Sequence, residues 1–161
     1  MKKHLIIGLL LLSGFFCFSQ EIKKLKITDL ERTIAASKTP LIVNFWATFC
    51  IPCIEEIPYF QKLVKKYQKD SVKLLLVSLD LQDDYPKIRS FAAKRKFTAP
   101  IVWLNESNAD YFCPKIDSTW SGAIPATIFI NNKKGYRKFS EDQITEQQLE
   151  KEILAILEKK N

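Results

Sequence analysis

Histidine is almost absent from the sequence: His4 is the only one in 161 residues. It stands ahead of an uncharged apolar stretch, so a chain processed after that stretch has no histidine at all. Ser-His and Cys-His nucleophile pairs are then excluded. So is every zinc or iron site built on imidazole. Glycine is scarce as well, with four residues, which rules out collagen-like and glycine-linker chains. Intrinsic disorder is excluded by a composition that is 47% hydrophobic and 12% aromatic, enough for one well-filled core. Long apolar runs are missing: Leu5 to Phe18 gives about 14 residues, short of the ~20 that span a bilayer as a helix. Neither sign of charge dominates, with 25 Lys+Arg against 18 Asp+Glu and a formal +7. Setting aside Lys2 and Lys3 leaves 23 against 18, or +5. These charges are scattered, which reads as a solvated surface and not as nucleic-acid binding.

The first residues have the layout of a secretory signal peptide. Lys2, Lys3 and His4 are a positive start, Leu5 to Phe16 an apolar centre, and Cys17 and Ser19 the small residues before a cut. Cleavage is expected after Ser19, making residues 1–19 the signal peptide and 20–161 one domain. A retained anchor and a lipidated Cys17 are the competing readings. Bulky Phe15 and Phe16 oppose the second. Export implies an oxidising or redox-managed compartment. Cys50, Cys53 and Cys113 then remain, a pair and one left over.

Along the mature chain no repeat or linker appears. Ile22, Leu25 and Ile27 suggest a short strand. Thr28-Asp29-Leu30-Glu31 reads as a capping box opening a helix to about Ser37. Leu41 to Trp46 is an apolar run suited to a central strand. Ile54, Ile57, Phe60, Leu63, Val64 and Tyr67 then recur at helical spacing, with Pro58 expected to interrupt and kink the helix. Val72–Leu79 and Pro100–Leu104 read as strands around a helix over Pro86–Lys96. Asn105 to Gly122 reads as irregular or weakly helical, broken at Pro114. Ala126–Ile130 and Tyr136–Phe139 form a hairpin whose second strand is expected to be the antiparallel addition. Thr145-Glu146-Gln147-Gln148 caps a last helix with Leu149, Ile153, Ile156 and Leu157 as its buried stripe. Helices alternating with buried strands imply an α/β sandwich: a mixed central sheet with helices on both faces.

Cys50-Ile51-Pro52-Cys53 lies between a buried strand and an amphipathic helix. The first cysteine is thereby at a helix N-terminus, where unpaired N–H groups and the helix dipole stabilise a thiolate. Redox chemistry, a static disulfide and a metal site are the alternatives. Metal is disfavoured because Cys113 is the one further thiol and no mature histidine exists. The geometry makes Cys50 the exposed nucleophile and Cys53, one turn in, the resolving thiol.

The run Asn44-Phe45-Trp46-Ala47-Thr48-Phe49-Cys50-Ile51-Pro52-Cys53, then Glu56 and Pro58, then Gly122-Ala123-Ile124-Pro125-Ala126-Thr127, resembles the exported TlpA-like and ResA-like thiol-disulfide oxidoreductases of the thioredoxin fold. The resemblance runs from about Thr28 to the C-terminus. It implies a thioredoxin-like sandwich and a cis peptide at Pro125 facing the redox pair. It also implies backbone contacts from Ile124 to an extended substrate, as in strand addition. The chain has Asn44 where thioredoxins proper have a buried Asp. Glu56 matches a Glu of the TlpA-like branch. Cys53 and Glu56 share a helix face, so Glu56 and Asn44 are candidates for tuning the thiol pKa values. Glu56 as a plain solvated helix charge is the competing reading. Phe49 replaces the usual Trp as an aromatic wall of the substrate site. Trp46 is expected to support the active-site helix, Trp103 to lie in the core, and Trp120 to border the substrate groove. Cys113 is read as a buried free thiol, a third redox thiol or an intermolecular partner.

The resemblance implies an enzyme that reduces protein disulfides through Cys50 and Cys53. It would need no prosthetic group or metal and would draw reductant from a membrane thiol carrier. A monomer is expected. Two other functions compete: a thiol peroxidase, for which Ala47 stands where a Thr is usual, and a non-catalytic thioredoxin-like binding module with a fixed disulfide.

Overall fold

The computed structural model describes residues 22–158; the signal peptide read at residues 1–19 lies outside them. Six strands form one sheet: β1 (Lys23–Leu25), β2 (Leu41–Trp46), β3 (Lys73–Ser78), β4 (Ile101–Leu104), β5 (Ala126–Asn131) and β6 (Tyr136–Ser140). Five helices connect them: α1 (Ile27–Ala35), α2 (Ile51–Lys66), α3 (Tyr85–Lys94), α4 (Ala109–Ile116) and α5 (Glu146–Leu157). The sheet order is β1-β4-β3-β2-β5-β6. β1 to β4 run parallel, and β5 is antiparallel to both β2 and β6. The architecture is the expected α/β sandwich.

The sheet divides the core by strand alternation. Ile42 and Trp46 face α2, α3 and α5, meeting Ile57, Phe60, Ile88, Leu149 and Ile153. Val43 and Phe45 face the other way, onto Leu30 and Ile34 of α1 and Phe112 and Ile116 of α4. Asn44 is in register with Thr127, so two polar side chains are buried together in the middle of the sheet.

Four local expectations are corrected. β5, and not β6, is the strand that opposes the parallel set. It enters at the top of β2, where Ala126 pairs with Phe45, so the residue before it, Pro125, is brought to the end of β2 that leads to Cys50. α1 begins at Ile27 without a side-chain cap from its own segment. The Ile27 amide instead donates to Glu106 Oε1 at 3.0 Å, so a carboxylate from the β4–α4 loop replaces the local capping box. α2 runs unbroken through Pro58. α4 is a helix despite Pro114 in it, because Phe112, Cys113 and Ile116 bury a continuous apolar face. The last capping box is realised: Thr145 Oγ1 accepts from the Gln148 amide at 3.3 Å, and Gln148 Oε1 from the Thr145 amide at 2.9 Å.

Candidate active site

Strand β2 ends at Trp46, and the chain turns through Ala47-Thr48-Phe49 into α2. Cys50 is the N-cap of α2, with Pro52 in the first turn, where its missing N–H leaves no intrahelical bond unmade. Cys50 and Cys53 form a disulfide with their Cα atoms 5.3 Å apart. The Cys50 sulfur accepts from the Cys53 amide at 3.3 Å. That amide is one of the unpaired donors of the helix start, placed where it favours charge on sulfur. Both cysteines are buried, but Cys50 keeps 7% exposure where Cys53 keeps none, so Cys50 is the one nearer the solvent. Phe49 and Ile51, on either side of Cys50, are 65% and 68% exposed.

The Ile124–Pro125 peptide is cis. The loop ahead of it is fixed by Glu141, whose carboxylate accepts from the Ser121 and Ala123 amides at 3.0 and 2.9 Å and from the Ser121 hydroxyl. The Ser121 hydroxyl bond, together with these amides, holds the Glu141 carboxyl below its usual range. Trp120 donates its Nε1–H to the Ala123 carbonyl at 2.9 Å. Its ring is buried among Phe45, Phe112 and Phe139, so it supports this loop from within the core and does not border a surface groove.

One turn beyond Cys53, Glu56 is fully buried. Its Oε1 accepts from Asn44 Nδ2 at 2.7 Å and its Oε2 from the Ile144 amide at 3.0 Å. Asn44 Nδ2 also donates to Thr127 Oγ1 at 3.0 Å, while its Oδ1 is left without a partner. Burial pushes the Glu56 carboxyl up from 4.5 to about 7, outweighing the two hydrogen bonds that favour the anion. A carboxyl at that value both holds and releases a proton near neutrality. The solvated-charge reading of Glu56 is therefore overturned: the side chain belongs to an internal polar cluster.

Asp80, just after β3, is also buried. Its carboxylate accepts from the Thr48 amide at 3.0 Å, from the Thr48 hydroxyl and from Ser78 Oγ at 2.7 Å. Its own carbonyl accepts from Trp103 Nε1 at 2.7 Å. Asp80 thus pins the turn that presents Cys50 to the parallel sheet. Leu81, next to it, is 70% exposed.

The model of the AhpC/TSA family matches residues 16–137. The chain belongs to that family. Among its curated relatives, the thiol-disulfide oxidoreductase ResA of Bacillus cereus is 29% identical over 140 residues, covering 80% of this chain and 75% of that protein. The sporulation thiol-disulfide oxidoreductase A of Bacillus subtilis is 30% identical over 131 residues, covering 80% and 73%. The ResA of Geobacillus thermodenitrificans is 26% identical over 116 residues, and the chain spans 62% of that relative's length. Among solved structures, a thioredoxin-related protein from Neisseria meningitidis serogroup B is similar at a TM-score of 0.65 and 29% identity, covering 75% of this chain and 87% of that one. StoA from Bacillus subtilis follows at 0.55 and 27%, covering 73% and 84%.

Within this AhpC/TSA member the folded chain brings together Cys50, Cys53, Phe49, Ile124 and Pro125 at one end of the sheet, with Asn44 and Glu56 beneath. Cys113 lies apart on α4, buried and unbonded, its sulfur 3.8 Å from where a side chain on Gly122 would begin. Burial pushes its thiol up to about 11, which makes it a poor nucleophile. Asp80 and Glu141 were not legible as site residues, since each acts on backbone amides far away in sequence. The one local signal was Ser78-Leu79-Asp80 at the end of a strand. Replacing Asp80 by Ala strands the part-buried Thr48 amide and the buried Ser78 hydroxyl, and is expected to cost about 3 kcal/mol of unfolding free energy in urea titration.

Proposed function

We propose that the protein is an exported thiol-disulfide oxidoreductase that reduces disulfides in other proteins. The observation that carries this reading is the bonded Cys50–Cys53 pair at the start of α2, with Cys50 the less deeply buried of the two and a carboxyl of pKa about 7 one turn below Cys53. The names of the Bacillus relatives support the reaction class.

In the reduced protein the Cys50 thiolate, favoured by the helix N-terminus, attacks one sulfur of a client disulfide. An S–S bond forms between Cys50 and the client, and the client's second sulfur leaves as a thiolate that takes up a proton. Cys53 then gives its proton to the Glu56 carboxylate and attacks the Cys50 sulfur. The second client thiol is released, protonated, and the Cys50–Cys53 bond is regenerated. Two electrons pass to the client, and a dithiol reductant restores the starting state. A membrane thiol carrier is the donor this reading assigns. Ile124 offers its backbone to an extended client segment beside the disulfide, held there by the cis bond at Pro125 and walled by Phe49. Asn44 keeps Glu56 oriented. The peroxidase reading lacks a threonine at position 47, and a fixed structural disulfide gains nothing from a protonatable carboxyl beneath it.

Trapping distinguishes these. With Cys53→Ser, the Cys50 mixed disulfide has no resolving thiol, so covalent client adducts are expected to accumulate on non-reducing gels and to disappear with dithiothreitol. Failure of Cys53→Ser to form any adduct with reduced, folded protein overturns the assignment of roles.

A further inference from the structure

The charges of this chain are sorted along the sheet axis. At the disulfide end, where β2, β3, β4 and β6 finish, the starts of α2 and α4 and the neighbouring connections carry Glu55, Asp83, Asp84, Asp110, Glu141 and Asp142. Of the cations there, Lys26 and Lys87 are paired with Glu106 and Asp84, and Lys24 lies over the Tyr85 ring. The opposite end is the reverse. α2 and α3 both run away from the disulfide, and their last turns and following loops present Lys65, Lys69, Lys73, Lys94, Arg95 and Lys96, all exposed and none in an ion pair among the described residues. Asp70 is the single acid within these two segments, and Glu158, at the end of α5, is a further exposed acid on this side.

Two of these cations, Lys65 and Lys73, line an open groove of about 760 Å³ between α2 and the starts of β2, β3 and β4, and Lys69 and Lys96 lie within two residues in sequence of its lining residues Gln68 and Thr98. Its walls are mainly apolar, formed by Leu41, Val64, Val72, Leu74, Ala99 and Pro100, with the stems of Lys65 and Lys73 at its edge. Apolar floor and cationic rim together match an amphiphile with a negative headgroup. A nucleic acid would have no use for the apolar floor, and no aromatic side chain lines it for base stacking. β1 also starts from this side, at Lys23, shortly after the apolar stretch that ends at Phe16.

We propose that this basic end is a docking surface for an anionic phospholipid bilayer. Headgroup phosphates meet the lysines, and acyl or glycerol groups reach the apolar groove. The acidic disulfide end is repelled by the same surface, so the molecule is oriented with Cys50 directed away from the membrane. Attraction of this kind is short-ranged and is screened within about 10 Å at 0.1 M salt. The proposal does not depend on the redox reading.

The form beginning at Gln20, which contains all six strands, all five helices and both halves of the core, is floated alongside the full chain with two kinds of vesicle. One is phosphatidylcholine alone and the other contains about 30% phosphatidylglycerol. The form from Gln20 is expected to bind the anionic vesicles at least about tenfold more tightly, with the preference gone in about 0.5 M salt. Lys65→Gln, Lys73→Gln and Lys96→Gln together are expected to weaken that binding by on the order of a hundredfold. A matched triple variant away from this end, Lys87→Gln, Lys138→Gln and Lys151→Gln, removes the same charge and is expected to stay within about threefold. Both variants are expected to keep the parent's circular dichroism and its reduction of a small neutral disulfide. Equal binding to the two vesicles overturns the proposal, as does an equal loss in the two triple variants, which would show net charge alone at work. Binding to a thymidine oligonucleotide without binding to anionic vesicles overturns it too, assigning the surface to a soluble polyanion.

Discussion

With serine in place of Cys50, reduction of a protein disulfide is expected to fall to the uncatalysed background, on the order of 10³-fold or more. The variant is informative because it spares the fold. Cys50 is the N-cap of α2, and its sulfur accepts from the Cys53 amide. Serine is among the best residues for that position, and its oxygen takes over the same amide. Measured against the reduced wild type, in which the Cys50–Cys53 bond is likewise absent, loss of activity therefore comes with an unchanged or slightly raised midpoint in urea, which separates chemistry from unfolding. The assay is dithiol-driven turnover of a disulfide-bonded protein substrate, read against the wild type at equal concentration. Residual turnover would require another nucleophile. Cys113 is the one remaining thiol in the described domain besides Cys53, and burial holds it near 11, which leaves only about one part in 10⁴ as thiolate at neutral pH.

The second large effect is a pH dependence of stability. Glu56 rises from 4.5 to about 7 on folding, so between those values the folded chain holds a proton that the unfolded chain has released. Stability falls as pH rises wherever the native state binds more protons. Below 4.5 the carboxyl is neutral in both states and contributes nothing. The loss grows from there and is complete above 7, reaching about 3 kcal/mol. The oxidised protein isolates the effect, since the bonded cysteines do not titrate and no histidine follows His4. Urea titrations of oxidised protein at a series of pH values from about 5 to 8 are expected to show this decline in the wild type and not in Glu56→Gln. Parallel curves for the two proteins would mean that Glu56 ionises at an ordinary pKa, and its part as proton acceptor for Cys53 would go with it.

Much of this arrangement was legible before folding because it is local. The apolar run Leu41–Trp46, the Cys50–Cys53 spacing and the periodic face of α2 depend on neighbours along the chain. An α/β sandwich with a mixed sheet followed from their order, and its thioredoxin-like form from the family resemblance. The misreadings share a cause in contacts made across the sheet. Thr28 looked like a cap because nothing nearby in sequence showed that Glu106 takes the Ile27 amide. Asn105–Gly122 looked irregular or only weakly helical, with a break at Pro114, whereas burial of Phe112 and Ile116 carries α4 through that proline in the folded chain. Trp120 was placed by its closeness to Pro125 in sequence, but three aromatic neighbours from β2, α4 and β6 hold it inside. Glu56 was ambiguous for a similar reason: its state depends on Asn44 in β2 and Ile144 before α5.

The short stretch Glu141–Ile144 touches both halves of the site. At one end Glu141 holds the amides of Ser121 and Ala123 ahead of the cis bond; at the other, Ile144 donates to Glu56, and between them Gln143 reaches the Pro52 carbonyl at 3.2 Å. On the proposed function, a client lying along Ile124 and a proton arriving at Glu56 are thereby joined through a few peptide units. Thermodynamic reciprocity then applies: by whatever factor an engaged client changes the proton affinity of Glu56, protonation of Glu56 changes the affinity for that client. The grip on a partner and the acidity of the surroundings become two readings of one coupling, carried by a strand-to-helix connection that itself takes no part in the chemistry.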